Sequence, residues 1–176
     1  LKKLGATSFK TFDEDKKRVN LFATLKAKKP NGKAPIILSG HTDVVPVSKG
    51  WSTNPFKVEI KDDKLYGRGG ADDGYALFSS ISAVKALKEQ KVRLPRILIL
   101  IEFCEESGSP DLPHYIKLCS DIIKTPDLVV CLDSGAGDYK RFWTTTSLRG
   151  LIGASLQVDV LTEGVHSGGA SGHVPS

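Results

Sequence analysis

Only three cysteines occur in the 176 residues, Cys104, Cys119 and Cys131. An odd count without C-x-x-C spacing argues against a disulfide framework or a zinc ribbon. Reduced thiols in a cytoplasmic protein are the expectation. No apolar run approaches membrane-spanning length and no secretory signal is visible, so no membrane partner is expected. Internal repeats and low-complexity tracts are missing. The chain opens on Leu1 rather than methionine, and a preceding segment is expected. The formal net charge is +5, but the lysines are scattered, densest from Lys2 to Lys29. That pattern reads as a solvated surface. No nucleic-acid motif accompanies it, so nucleic acid is not an expected partner. What is present is an ordinary apolar content of 40%, in a chain long enough to bury one domain core and begin a second.

Apolar patterning divides the chain. Residues 18–29 predict a strand with Val19, Leu21, Ala23 and Leu25 on one face. Pro30-Asn31-Gly32-Lys33 is a turn. Residues 34–39 form the continuous apolar run of a buried central strand, ending at Gly40-His41. Residues 56–66 predict a hairpin turning at Lys61-Asp62-Asp63-Lys64. Ala76, Leu77, Ile81, Val84 and Leu87 predict a helix over 74–90. A buried strand over 96–103 follows. A helix over 111–123 then turns Leu112, Tyr115, Ile116, Leu118 and Ile122 inward, and a third buried strand covers 127–132. This alternation predicts an α/β fold, a mostly parallel central sheet flanked by helices. Residues 151–160 alternate again after Arg149-Gly150 and predict a strand opening a second domain.

The chemistry gathers at the strand ends. His41 stands two residues before Asp43, a spacing that can set a metal-ligating imidazole beside the carboxylate that orients it. A packed histidine at a strand end is the plainer alternative. Asp72 and Asp73 follow Gly67-Arg68-Gly69-Gly70 and precede a helix. A carboxylate there can bridge two cations or simply cap the helix. Glu105 and Glu106 are adjacent carboxylates, which repel unless cations or protons compensate. In a cleft, one could bind metal while the other takes a proton from water. On the surface they would be an acidic turn. Asp133 ends a further strand, where it is either a ligand or a turn residue. Cys104 has no histidine placed by motif to activate it, which argues against a cysteine hydrolase.

In SGHTDVVPV, LYGRGGADD, EFCEESGS, CLDSG, TTSLRG and GVHSG, spread over residues 36–168, the chain resembles the co-catalytic metallopeptidase family. That family includes aminoacylases, carnosinase-type dipeptidases, acetylornithine deacetylases and glutamate carboxypeptidases. The resemblance implies a zinc-peptidase-like fold. Residues 1–148 would be the N-terminal part of the catalytic domain, and 149–176 the start of a smaller α+β lid or dimerisation domain. It implies two divalent metal ions, zinc with manganese or cobalt as alternatives, held by His41, Asp72, Glu106 and Asp133. Asp72 would bridge them, its peptide bond to Asp73 often being cis. Asp43 would orient His41, and Glu105 would be the general base. His166 would help polarise the scissile carbonyl, in dimeric relatives across a homodimer interface. Many relatives carry Lys-Gly where this chain has Gly74-Tyr75. The family's last metal ligand is a histidine in a later part of a longer chain. His173 lies in the lid segment and is not that ligand, so the segment alone is expected to be inactive. The implied activity is hydrolysis of amide bonds in small peptides, with N-acyl-amino-acid deacylation as the alternative. A non-catalytic fragment or interaction module on the same fold is the alternative of another class.

Overall fold

A computed structural model describes residues 1–4, 6–12, 20–25, 34–159, 161–170 and 172. The strands are β1 (Ala6–Phe12), β2 (Asn20–Leu25), β3 (Ile36–His41), β4 (Glu59–Lys61), β5 (Lys64–Tyr66), β6 (Ile97–Glu102) and β7 (Leu128–Cys131). The helices are α1 (Tyr75–Glu89), α2 (Leu112–Leu118), α3 (Ser120–Ile123) and α4 (Ser167–Ala170). The chain separates into two compact units, Leu1–Gly137 and Asp138–Ser176.

The first unit is built around β6, whose sequence ILILIE is buried throughout. A strand apolar on both faces needs cover on both, and side-chain alternation assigns the cover. Leu98 and Leu100, with Ile37 of β3, pack against Cys119 and Ile123, and Leu112 and Ile122 close on them. Ile97, Ile99 and Ile101 face the other way, onto Leu25 of β2 and Val84 of α1. The sheet order is β1-β2-β6-β3-β7. β3 pairs parallel with both β6 and β7, whereas β1–β2 and β2–β6 are antiparallel. The sheet is therefore mixed, with a parallel core. Alternation of helices and strands gave no sign of β1, which pairs with β2 and makes that side antiparallel.

Other expectations meet the structure unevenly. Within the predicted strand 18–29, β2 buries Ala23 and Leu25. Val19, the side chain of Leu21 and the turn at 30–33 lie outside the described residues. The hairpin forms as read: β4 and β5 pair across Asp62 and Asp63. These two residues have φ of 50° and 57°, as a two-residue turn of the I′ kind requires. α1 starts at Tyr75 and buries Ala76, Ser80 and Val84, an i, i+4, i+8 row. Leu87, expected inside, lies in the last turn and is exposed. The helix expected over 111–123 is interrupted at Cys119. Its buried row is Tyr115, Cys119 and Ile123, while Ile116 and Leu118 are 42% and 50% exposed. Those two fall off the i+4 row that faces the sheet. β7 was expected to be buried. Leu128 and Val129 are 51% and 54% exposed, because the strand stands at the end of the sheet order.

In the second unit, the strand expected over 151–160 is not formed at 151–159, whose residues are exposed. A strand needs a partner to hold it, and no strand occurs there among the described residues. Asp138 instead organises a turn. Its carboxylate accepts hydrogen bonds from the Lys140 and Arg141 amides, and the Arg141 guanidinium reaches it at 2.6 Å. Among the described residues, no helix is long and apolar enough to cross a membrane.

Candidate metal centre

Three adjacent parallel strands bring their C-terminal ends side by side, where open α/β sheets build their sites. β3 ends at His41, in register with Glu102 of β6. β6 leads into a 3₁₀ turn, Glu105–Ser107. Past the end of β7, the Leu132 amide still bonds Ser39 of β3 at 2.9 Å, one residue before Asp133. Asp72 arrives from the glycine-rich turn ahead of α1, which packs on β3.

His41 is 1% exposed. Its Nδ1 lies 3.0 Å from the Asp43 carbonyl oxygen and 3.4 Å from Asp43 Oδ1. A carbonyl oxygen only accepts, so the proton belongs on Nδ1 and the Nε2 lone pair is free. Nε2 is buried without a hydrogen-bond partner. It faces Asp72 Oδ1 at 3.2 Å, Asp133 Oδ2 at 3.7 Å and Glu105 Oε2 at 3.8 Å. A lone pair aimed at three carboxylates is repelled unless a cation or a proton lies between them. Burial pulls the His41 pKa down, but the Asp43 carbonyl and the charges of Asp133, Asp43 and Glu105 outweigh it and the net shift is upward.

Two donor sets result. His41, Glu105 and Asp133 each offer a ligand atom, all within 4.8 Å of one another, and so do His41, Asp72 and Glu106. The sequence-predicted His41, Asp72, Glu105, Glu106 and Asp133 are thus brought together. The two sets share His41, whereas the resemblance shares Asp72. An imidazole nitrogen has one lone pair and serves one cation, while a carboxylate has two oxygens and can serve two.

Asp43 does more than its spacing from His41 suggested. Its main-chain carbonyl holds the imidazole, while its carboxylate accepts the Glu105 amide on Oδ1 at 3.2 Å and the Glu106 amide on Oδ2 at 3.0 Å. It ties β3 to the turn carrying both glutamates. Asp73, read from the sequence together with Asp72 as a cation-bridging carboxylate or a helix cap, is fully buried. Its Oδ2 accepts the His41 main-chain N–H at 3.0 Å. Burial, ahead of the Asp133 and Asp72 charges, pushes its carboxyl up to about 6, against the opposing pull of the His41 N–H. Gly40 makes room for this: a Cβ there would collide with Ala76 Cβ and Asp73 Oδ2. The glycine beside His41 was the available signal. The Asp72–Asp73 peptide bond is cis. Burial, then the Asp133, Glu106 and Glu102 charges, raise the Glu105 carboxyl against the lowering effect of His41. His166 lies in the second unit, its Nδ1 accepting the Gly168 amide at 3.1 Å.

The sequence profile of peptidase family M20/M25/M40 matches residues 37–151. The chain is 31% identical over 151 residues to the cysteinylglycine-S-conjugate dipeptidase of Corynebacterium striatum, covering 84% of this chain and 33% of that protein. It is 42% identical over 96 residues to succinyl-diaminopimelate desuccinylase 2 of Ruegeria sp., covering 52% of this chain and 23% of that protein. Among solved structures it is similar to human carnosine dipeptidase 1. The TM-score is 0.62 and the identity 28%, over 76% of this chain and 30% of that one. The chain spans about a third of the length of the curated dipeptidases it matches.

Proposed function

Since the chain belongs to peptidase family M20/M25/M40, we propose that it supplies most of a two-metal site that hydrolyses the amide bond of small peptides. One observation carries this reading: the buried Nε2 of His41, its ring proton committed to Asp43, confronts three carboxylates. Divalent cations fit that arrangement, because they satisfy the lone pair and neutralise the carboxylates together. His41, Asp72, Glu106 and Asp133 would hold the two ions, with Asp72 serving both, as the family resemblance implies. Zinc, manganese or cobalt bound there would acidify a water and polarise the substrate carbonyl.

The remaining steps belong to the chain's own residues. Glu105, with its raised pKa, takes the proton of the attacking water and later returns it to the leaving amine. Asp43 keeps His41 in one tautomer and holds the Glu105 and Glu106 amides, so base and ligand keep a fixed spacing. His166 would stabilise the developing oxyanion, in a homodimer from the partner subunit, as the family resemblance implies. The cytoplasm is the proposed location.

A second reading, N-acyl-amino-acid deacylation at the same site, is favoured by the 42% identity to a desuccinylase. A hydrolysis screen of the full-length protein tests both. Cys-Gly and β-Ala-His would be compared with N-acetyl and N-succinyl amino acids, with Zn²⁺, Mn²⁺ or Co²⁺ and then with chelator. Chelator-sensitive cleavage of the dipeptides is expected. Cleavage of only the N-acyl compounds would transfer the assignment to the second reading, and chelator-resistant cleavage would end both.

A further inference from the structure

Glu102 closes β6 with a carboxylate the mechanism does not use. It is 7% exposed, and its charge adds to an already acidic strand end. Burying a carboxylate is costly unless hydrogen bonds repay it, so its partners are informative. Oε2 accepts the Cys104 S–H at 3.8 Å, and the Ser109 hydroxyl hydrogen-bonds the same carboxyl group. Cys104 immediately precedes the Glu105–Ser107 turn, and Ser109 follows it after Gly108. The main chain closes at the same points, with the Ser109 and Ser107 amides bonding the Cys104 carbonyl at 2.9 and 3.2 Å. Cys104 is itself buried and also receives the Asp111 amide. One buried carboxyl group therefore grips both feet of the loop that presents Glu105 and Glu106.

We propose that Glu102 is a positioning residue, its buried carboxyl clasping Cys104 and Ser109 so that the Glu105–Glu106 turn is held in line with His41. The inference rests on the metal-hydrolase reading for its purpose, though not for its geometry. Glu102 acts through the two donors, Cys104 and Ser109. Glycine supplies the turn's left-handed corner, Gly108 at φ 85°, and the clasp limits which way the loop can relax around it. A base and a ligand on neighbouring residues need that restraint, since about 1 Å of misplacement costs roughly 10²-fold in rate.

The test is amide hydrogen exchange by NMR on the metal-free 176-residue chain and on Glu102→Leu, Cys104→Ala and Cys104→Ser. Glu102→Leu and Cys104→Ala should speed exchange of the Glu105 and Glu106 amides roughly 5–10-fold, the loss of about one hydrogen bond. Exchange of Leu98 to Ile101 should not change. Cys104→Ser, which keeps a donor, should retain protection. Unchanged exchange at Glu105 and Glu106 in both disruptive variants, or equal acceleration in the β6 core, would overturn the proposal. A Co²⁺ titration read by visible absorption runs alongside, with an expected loss of roughly 10–100-fold in affinity for the two disruptive variants. A wild-type chain that takes up no Co²⁺ would count against the metal-hydrolase reading, and the exchange data would still decide the clasp.

Discussion

Asp43 serves two segments at once, and this explains why the site depends on individual atoms rather than residue types. Its carbonyl fixes His41 and its carboxylate fixes two amides, whereas the His-x-Asp spacing suggested only the first. Glu105 lies beside it with a carboxylate directed at His41 Nε2. In the full-length protein, Glu105→Gln should lower turnover by roughly 10²–10⁴ while metal content, read by elemental analysis, stays at the wild-type level. Asp73 gives a pH prediction. Its pKa is raised in the folded chain, so the folded state holds this proton more tightly than the unfolded one. The stabilisation is complete below the ordinary aspartate value of about 3.9 and is lost as pH rises through about 6. In the metal-free protein, urea midpoints should therefore fall between pH 4 and 7 for the wild type, and Asp73→Asn should flatten that part of the curve.

At the scale of elements, what the sequence made legible depended on whether the pattern was one-dimensional. The all-apolar run of β6 needs no knowledge of neighbours, and it is buried as read. The hairpin at Asp62-Asp63 is decided by its own turn chemistry. Faces of helices are different, because the partner selects the face. α2, α3 and the break between them turn Tyr115, Cys119 and Ile123 inward, whereas apolarity alone ranks Ile116 and Leu118 as equal candidates. α1 buries Ser80 in one row with Ala76 and Val84, and hydropathy does not rank serine as core. The strand-end donor residues were legible as motifs, but Asp73, Gly40 and Glu102 act through the register of β3 on β6 and the approach of α1. Ile99→Ala should cost about 2–5 kcal/mol, since Ile99 is fully buried between β2 and α1. Ile116→Ala should stay within about 0.5 kcal/mol. Urea denaturation of the pair checks both, and similar losses would mean that α2 faces the other way.

For the whole molecule, the candidate donors are far apart in sequence and meet only when the sheet is assembled, so metal binding at this site would be linked to folding. Zn²⁺ or Co²⁺ at about 100 times its dissociation constant should stabilise the chain by about 2.7 kcal/mol, seen as a rise in melting temperature. His41→Ala or Asp72→Ala should abolish the rise, and an equal rise in both variants would place the ions elsewhere. The far end of the sheet has a consequence of another kind. β7 carries Leu128 and Val129, each more than half exposed, and among the described residues it pairs with β3 on one side only. Such an edge is a template on which a second chain can add a strand. At high concentration this polypeptide should self-associate through that edge, scattering more light as concentration rises. Val129→Lys should suppress the scattering without shifting the melting temperature by more than the ~0.5 kcal/mol of an ordinary surface change. Handling of the chain in solution would then be governed by one strand rather than by its overall charge.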